Sequence, residues 1–286
     1  DINITSKELT GDGKFNISVS GGFNTQTLSS DFQRLDGVNA FGFANRTQPG
    51  ENLDTYNFRN SLDPSRQNLQ INQSYTLSGG KRFMIGDNPL SFFIVASHNK
   101  NYTHYEEEVR NTTTSGTISQ DMNGDISKVE TSQLAMANLE YRHNRKHRLA
   151  YNFMLVHATN ESVGDYLGMD NDYQSSDTYE GFMRRQQTND NMLIVNQLDT
   201  KWQLSKLFDL DAGLSYNIIK GYEPDRRINN LVKTDEGYVP MRGTGIQQRY
   251  FSELDGKDLN ARVALTYKLK DRFDHNSNVR IGYMGR

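Results

Sequence analysis

His143 and His147 stand four residues apart, a spacing that would place two imidazoles on one face of a helix as a metal pair. No helical periodicity supports them. They sit among Arg142, Arg145, Lys146 and Arg148, and the cluster reads as a solvated basic turn. The run Asp121, Asn123, Gly124, Asp125 has the composition of a calcium loop, but its glycine falls at the fourth position and not the sixth, so a polar turn is expected. Asp165, Asp170, Asp172 and Asp177 cluster with Tyr166, Tyr173 and Tyr179, a set that suits a divalent cation or a sugar, with a hydrated acidic loop as the default. Glu106, Glu107 and Glu108 read as a solvated loop base, and triplets such as Asn111–Thr113 carry no specific meaning. There is no G-x-S-x-G, H-E-x-x-H or P-loop. The expectation is therefore no enzyme, no cofactor and no metal site.

Composition narrows the classes. The 286 residues carry a net charge of -3, so nucleic acid is not an expected partner. Hydrophobic residues make up 35%, a low share for a globular domain. Disorder does not follow, because 15 Tyr and 14 Phe supply buried area that disordered chains lack. The chain should fold without a core in proportion to its length. A β-barrel does this, since only one face of each strand needs to be apolar. No apolar window reaches 18 residues, so no transmembrane helix is expected. Absent cysteine excludes a disulfide scaffold. The opening Asp1, with no signal peptide, suggests a processed chain or a fragment.

The elements that would position any site are strands. Period-two alternation predicts them over 13–24, 68–80, 90–105, 129–142, 148–160, 190–204, 208–220 and 258–270, with a ninth beginning near Val279. Residues 258–270 show the pattern well, with Leu259, Ala261, Val263, Leu265, Tyr267 and Leu269 against Asn260, Arg262, Thr266 and Lys268. Over 129–142 the second face is less clean, because it carries Leu134 and Met136. Each segment has about the 9–11 residues that cross a bilayer as a tilted strand.

The connections alternate. Those over 25–67, 106–128, 161–188 and 221–257 are long, and those over 81–89, 143–147, 205–207 and 271–278 are short. Outer-membrane barrels pair long extracellular loops with short periplasmic turns in this way. Tyr141, Tyr151, Trp202, Phe208, Tyr267 and Tyr283 lie near the short turns, and Tyr102, Tyr105 and Tyr222 toward the long links, as two aromatic girdles would. Nine strands, the last cut short, imply part of a longer chain, since single-chain bacterial barrels use even numbers.

The first residues, DINITSKEL, are followed by a glycine-containing hinge and FNISVSGGFN. This resembles the junction between plug and barrel in TonB-dependent outer-membrane receptors. Ile2, Asn3, Ile4 and Lys7 match; Ser6 stands where Thr is more usual, and the preceding glycines are absent. Residues 145–160 and 184–204, with Arg184, Arg185 and Gln197, resemble a turn with its upward strand and the following descending strand in receptors of the Bacteroidota. The chain does not resemble the subgroup that imports starch-like glycans.

The resemblance implies residues 1–10 as the end of the plug and hinge, and 11–286 as the N-terminal part of an antiparallel transmembrane β-barrel, about nine strands of 22. It implies active import of a large scarce nutrient (siderophore, cobalamin or oligosaccharide) across the bacterial outer membrane. The implied partners are a TonB-type periplasmic energy-coupling protein, outer-membrane lipids and, as a candidate, a surface lipoprotein. Phe41, Phe43, Tyr56, Tyr166, Tyr173, Tyr179, Tyr238 and Tyr250 are the candidate ligand contacts, because aromatic rings offer large area at low entropic cost. The rival readings are a soluble or surface β-rich adhesion module, and an outer-membrane barrel hydrolase.

Overall fold

A computed structural model describes residues 13–29, 31–45, 58, 60–173, 179–243, 246–270 and 276–286. The elements are β1 (Gly13–Gly22), α1 (Thr25–Ser29), β2 (Gln33–Arg34), β3 (Ser65–Arg66), β4 (Asn72–Ile85), β5 (Asn88–Thr112), β6 (Ile118–His143), β7 (His147–Asp170), β8 (Glu180–Gln203), β9 (Phe208–Thr234), β10 (Gly237–Pro240), β11 (Gln248–Lys270) and β12 (Asn276–Gly285). The fold is all-β and antiparallel. One sheet runs β1-β4-β5-β6-β7-β8-β9-β11-β12, with β10 added on β9, while β2 and β3 form a separate pair. Among the described residues the sheet is open, with β1 and β12 at its edges.

All nine expected strands are present. The short turns also fall where expected. Gly86, at φ +61, opens the two-residue turn between the paired Ile85 and Asn88. Asn144 and Arg145 both take positive φ beside the paired His143 and His147. Two left-handed residues in a row give a twist that matches the flanking strands.

The long links are a correction. Residues 106–128, 161–188 and 221–257 are not structureless loops. Strands β5 to β9 are 24–27 residues long, and they continue through most of those ranges. The apolar alternation stops, but the hydrogen-bond ladder needs only backbone, so the strands run on with polar side chains. The polar turn expected at Asp121–Asp125 and the loop base at Glu106–Glu108 lie inside β6 and β5 for the same reason. Residues 1–10, the expected end of the plug, lie outside the described residues, and so does most of the short link 271–278.

Register defines two faces. One carries apolar rows across the sheet: Leu77–Ala96–Ala135–Leu155–Ile194–Ile218, then Phe92–Leu139–Tyr151–Leu198–Leu214–Ala261, then Trp202–Leu210–Leu265–Ile281. Many of these side chains, such as Leu139, Leu198, Leu214 and Ile281, are exposed. On β9 this belt runs from Phe208 to Ile218. At about 3.3 Å per residue, ten steps span about 33 Å of strand, or about 25 Å along the axis of strands tilted by about 40°.

The opposite face carries the row Asn138–Asn152–Gln197–Ser215–Asn260 and, next to it, Glu140, Asp199 and Arg262. Further along it holds Leu134, Val156, Leu193 and Ile219, an apolar centre that a uniformly polar face does not predict. Ala150, Asn152, Val195 and Gln197 are nearly inaccessible there, although no other element packs over them among the described residues. The sheet therefore curls toward this polar face and leaves the belt on the outside of the curve.

Candidate functional site

Beyond the last apolar row, the belt face changes character in one step. The next row is Tyr75–His98–Gln133–His157–Met192–Lys220, followed by Lys100–Thr131–Thr159–Asp190–Tyr222. The middle of these polar rows is not open to water: Lys100, Thr131, His157, Thr159 and Tyr222 are buried. Residues 31–45 and 60–70 fold back across them as a strap, and β2 packs on β6 and β7. The strap is the first long connection, which the alternation pattern expects to project as a loop.

Polar contacts hold the strap in place. The Gln33 backbone N–H donates to Ser127 Oγ at 3.1 Å, and the Gln33 side chain donates to Asp165 Oδ2 at 2.9 Å. Thr159 Oγ1 donates to the Gly42 carbonyl at 2.5 Å, and Lys100 Nζ to the Ala40 carbonyl at 3.2 Å. Arg227, buried, donates to Asp36 Oδ1 at 3.0 Å and to the Ser61 carbonyl. Arg249 bridges Asp225 at 2.9 Å and the Asn60 carbonyl at 3.0 Å. An apolar cluster adds Phe32 against Tyr102 and Val129, and Leu35 is buried as well.

His157 is the centre of this arrangement and is 0% exposed. Its Nε2 lies 2.7 Å from Asp190 Oδ1, and its Nδ1 lies 3.0 Å from Gln133 Oε1. The Phe43 ring stacks on the imidazole at 4.0 Å and 6°. Asp190 also accepts the Ala44 N–H at 2.9 Å. The chain reaches this position through Gly42, at φ +86, where a Cβ would meet Thr131 at 2.8 Å. No side chain fits there, and the left-handed backbone favours glycine as well. Thr159 Oγ1 is 3.3 Å from the same Nε2 that faces Asp190, so this is not a nucleophile-base-orienter series. It is a clamp.

Burial pushes the Glu161 carboxyl above its ordinary value, although Arg34 at 3.4 Å pulls it the other way. Burial likewise raises Asp225 against Arg249 and Arg227. A folded-state pKa above the unfolded value means that the folded state binds the extra proton in the window between them. The strap is therefore held less well above that window and better as pH falls through it toward the ordinary value of 4.5 for Glu161. Protease cleavage of the strap should slow on mild acidification, and Glu161→Gln should flatten its share of that dependence.

The candidate aromatics part into groups. Phe41 and Phe43 lie on the strap, and the Phe41 ring meets His98 edge-on at 5.9 Å. Tyr166 and Tyr173 come together on the polar face with Met122, Met183, Val232 and Met241. The Tyr166 ring lies against Gly124 and Gly164, where added Cβ atoms would sit 2.7 and 2.9 Å from it. Its hydroxyl donates to Glu107 at 2.6 Å, and burial and that carboxylate raise its pKa. Tyr173 is 4% exposed, donates to Asn230 at 3.1 Å, and has its pKa pushed up to about 12 by burial. Tyr179, Tyr238 and Tyr250 are exposed. Tyr238 meets Phe182 at 6.3 Å, and the Arg226 guanidinium lies 4.4 Å over Tyr250. Tyr56 and Asp177 lie outside the described residues.

The Tyr173 seat gives a direct expectation. A Cβ on Gly181 would lie 2.5 Å from the ring, so Gly181→Ala should displace it and cost about 1–3 kcal/mol through overpacking. Loss of near-ultraviolet circular dichroism and faster proteolysis between residues 170 and 180 would report it.

The acidic residues disperse into pairs. Arg184 grips Asp165 with two bonds of 2.7 and 2.8 Å, Arg110 holds Asp121 at 3.1 Å, and Asp170 accepts from Gln120 at 2.7 Å. No group of metal-ligating side chains converges among the described residues. Arg142 and Arg148 from the basic turn both clamp Glu140, at 2.6 and 2.8 Å. Further along the polar face, Arg262–Asp199 and Arg286–Asp258, each at 2.6 Å, border a cavity of about 320 Å³ floored by Leu193 and Ile219.

His157, Asp190, Glu161 and Arg227 were not among the sequence candidates. One signal pointed to two of them: Leu155, His157, Thr159 and Glu161 continue a single alternation, so a polar row had to share a face with the belt. The chain matches no family model, no curated protein and no solved structure.

Proposed function

We propose that this chain is part of the wall of a transmembrane β-barrel of the bacterial outer membrane, in an energy-coupled receptor of the TonB-dependent type. The observation that carries the reading is the belt: exposed apolar rows about 25 Å high on the outer side of a curled antiparallel sheet, the dimension of a lipid-facing band. On this reading the polar face lines the lumen, where ion pairs such as Arg262–Asp199 stay hydrated. The strands that run past the belt form a wall outside the bilayer that carries the exposed Tyr179, Tyr238 and Tyr250 as ligand contacts.

The cargo is a large, scarce nutrient such as a siderophore, cobalamin or an oligosaccharide, and a TonB-type periplasmic protein supplies the energy. Fractionation of cells that make the native protein tests the proposal. A species well above 32.7 kDa in the outer membrane, with heat-modifiable migration, is expected. A water-soluble species would overturn the reading and favour the surface-module alternative.

A further inference from the structure

Polar strand extensions on the same face as a lipid belt raise a problem of boundary. Where apolar rows end, unpaired polar groups would meet hydrocarbon, which is costly because nothing there can hydrogen-bond them. The strap begins at this line. Its 39–44 turn lies over the first polar row, where Gln133 Nε2 donates to the Phe41 carbonyl at 2.5 Å and Phe43 covers His157. The turn is built rather than loose. Asn39 Oδ1 accepts the N–H groups of Phe41 and Phe43 at 2.9 and 3.1 Å, and the Gly42 N–H donates to the Asn39 carbonyl at 3.0 Å.

This rigid turn holds one large apolar side chain outward. Phe41 is 63% exposed, with its ring 5.9 Å from His98 at the margin of the belt, and exposed Tyr75 lies 6.3 Å from the same imidazole. Phe41 is not a stray surface ring: with exposed Tyr75 it continues the exposed apolar surface of the belt, and contiguous surface of that kind marks a site of contact. Aromatic rings gain at the level of lipid headgroups, where one side is apolar and the other wet.

We propose that the 39–44 turn is an interfacial membrane anchor. It seats Phe41 in the headgroup region at the margin of the belt and closes the polar rows beneath the strap from the lipid. This rests on the lipid-facing reading of the belt. It adds that the first connection lies on the lipid side of the wall and marks the bilayer boundary there.

The test uses the full-length protein in vesicles of phosphatidylcholine brominated either near the carbonyls or deep in the chains. Trp202, the single tryptophan of these 286 residues, sits on the belt and reports the underlying reading once any tryptophan elsewhere in the full-length protein is replaced by phenylalanine. It should be quenched by bromine, and if it is not, the lipid-facing reading itself fails. In a Trp202→Phe background, Phe41→Trp should be quenched more by shallow than by deep bromine. Tyr238→Trp, at the far end of the wall, should not be quenched. Quenching at Trp202 with none at Phe41→Trp would overturn the anchor and leave the barrel intact. Quenching at Phe41→Trp that is stronger with deep bromine, or equal quenching at Tyr238→Trp, would overturn it as well.

Discussion

Ala137→Arg is expected to cost stability in lipid toward the lower end of about 2–4 kcal/mol, the range for a cationic side chain on the lipid face at mid-membrane. Ala137 pairs with Ile94 on one side and Phe153 on the other, inside the belt and one row from its edge. Arginine there removes little packing, since alanine contributes little, so the effect isolates the charge. Ser215→Arg, on the polar face of β9, should cost much less, because that face already carries Arg262 opposite Gly213. Urea unfolding in vesicles measures both. In a water-soluble sheet the same half-buried alanine, on a face open to water, would tolerate arginine at a cost well below that range. The contrast between the two positions matters more than either value alone.

The second large effect concerns the clamp. His157→Ala removes the imidazole beneath Phe43 and a partner of Asp190, a carboxylate only 14% exposed. Leaving a buried carboxylate short of a partner and emptying the space under an aromatic ring should together cost about 3 kcal/mol. The loss should be local. The strap is tied to the sheet by contacts that the nine strands do not need for their own pairing, so residues 31–45 should become protease-sensitive while the β-sheet circular dichroism persists. His157→Gln, which can still donate to Asp190, should recover part of the protection. Unchanged cleavage of the strap in His157→Ala would show that the clamp does not hold it.

The strand-forming half of this architecture was plain in the sequence. Leu259, Ala261 and Val263 alternate with Asp258, Asn260 and Arg262, and such a pattern fixes both strand and face. The turns at Gly86 and at Asn144–Arg145 were bounded by the ends of those patterns. The strand extensions were hidden because Glu161 or Asp125 in a strand looks like a loop until its partner is known. Their partners come from far away: Arg34 reaches Glu161 across 127 residues, and Gln33 reaches Ser127 across 94.

No local pattern encodes such pairs. The same holds for the tyrosines. Tyr166 and Tyr173 looked like free loop aromatics; Tyr166 is seated on Gly124 across the ladder and on Gly164 of its own strand, and Tyr173 is seated on Gly181 after the chain turns past β7. Phe41 was singled out as a ligand contact for its size and its place in a long connection. Its placement at the margin of the belt gives it a different role in the account above.

A single-cysteine scan along β7 tests the central claim most directly; these 286 residues contain no cysteine, and any elsewhere in the full-length protein is first replaced by serine. Spin labels would be placed one at a time from residue 149 to 163 in the full-length protein reconstituted in vesicles, and collision with oxygen and with a water-soluble nickel complex measured at each. The account predicts oxygen-accessible, nickel-protected labels at 149, 151, 153 and 155, alternating with the reverse at 150, 152 and 154, and loss of oxygen preference from 157 onward. Nickel access at all of the belt positions, with no period of two, would contradict it.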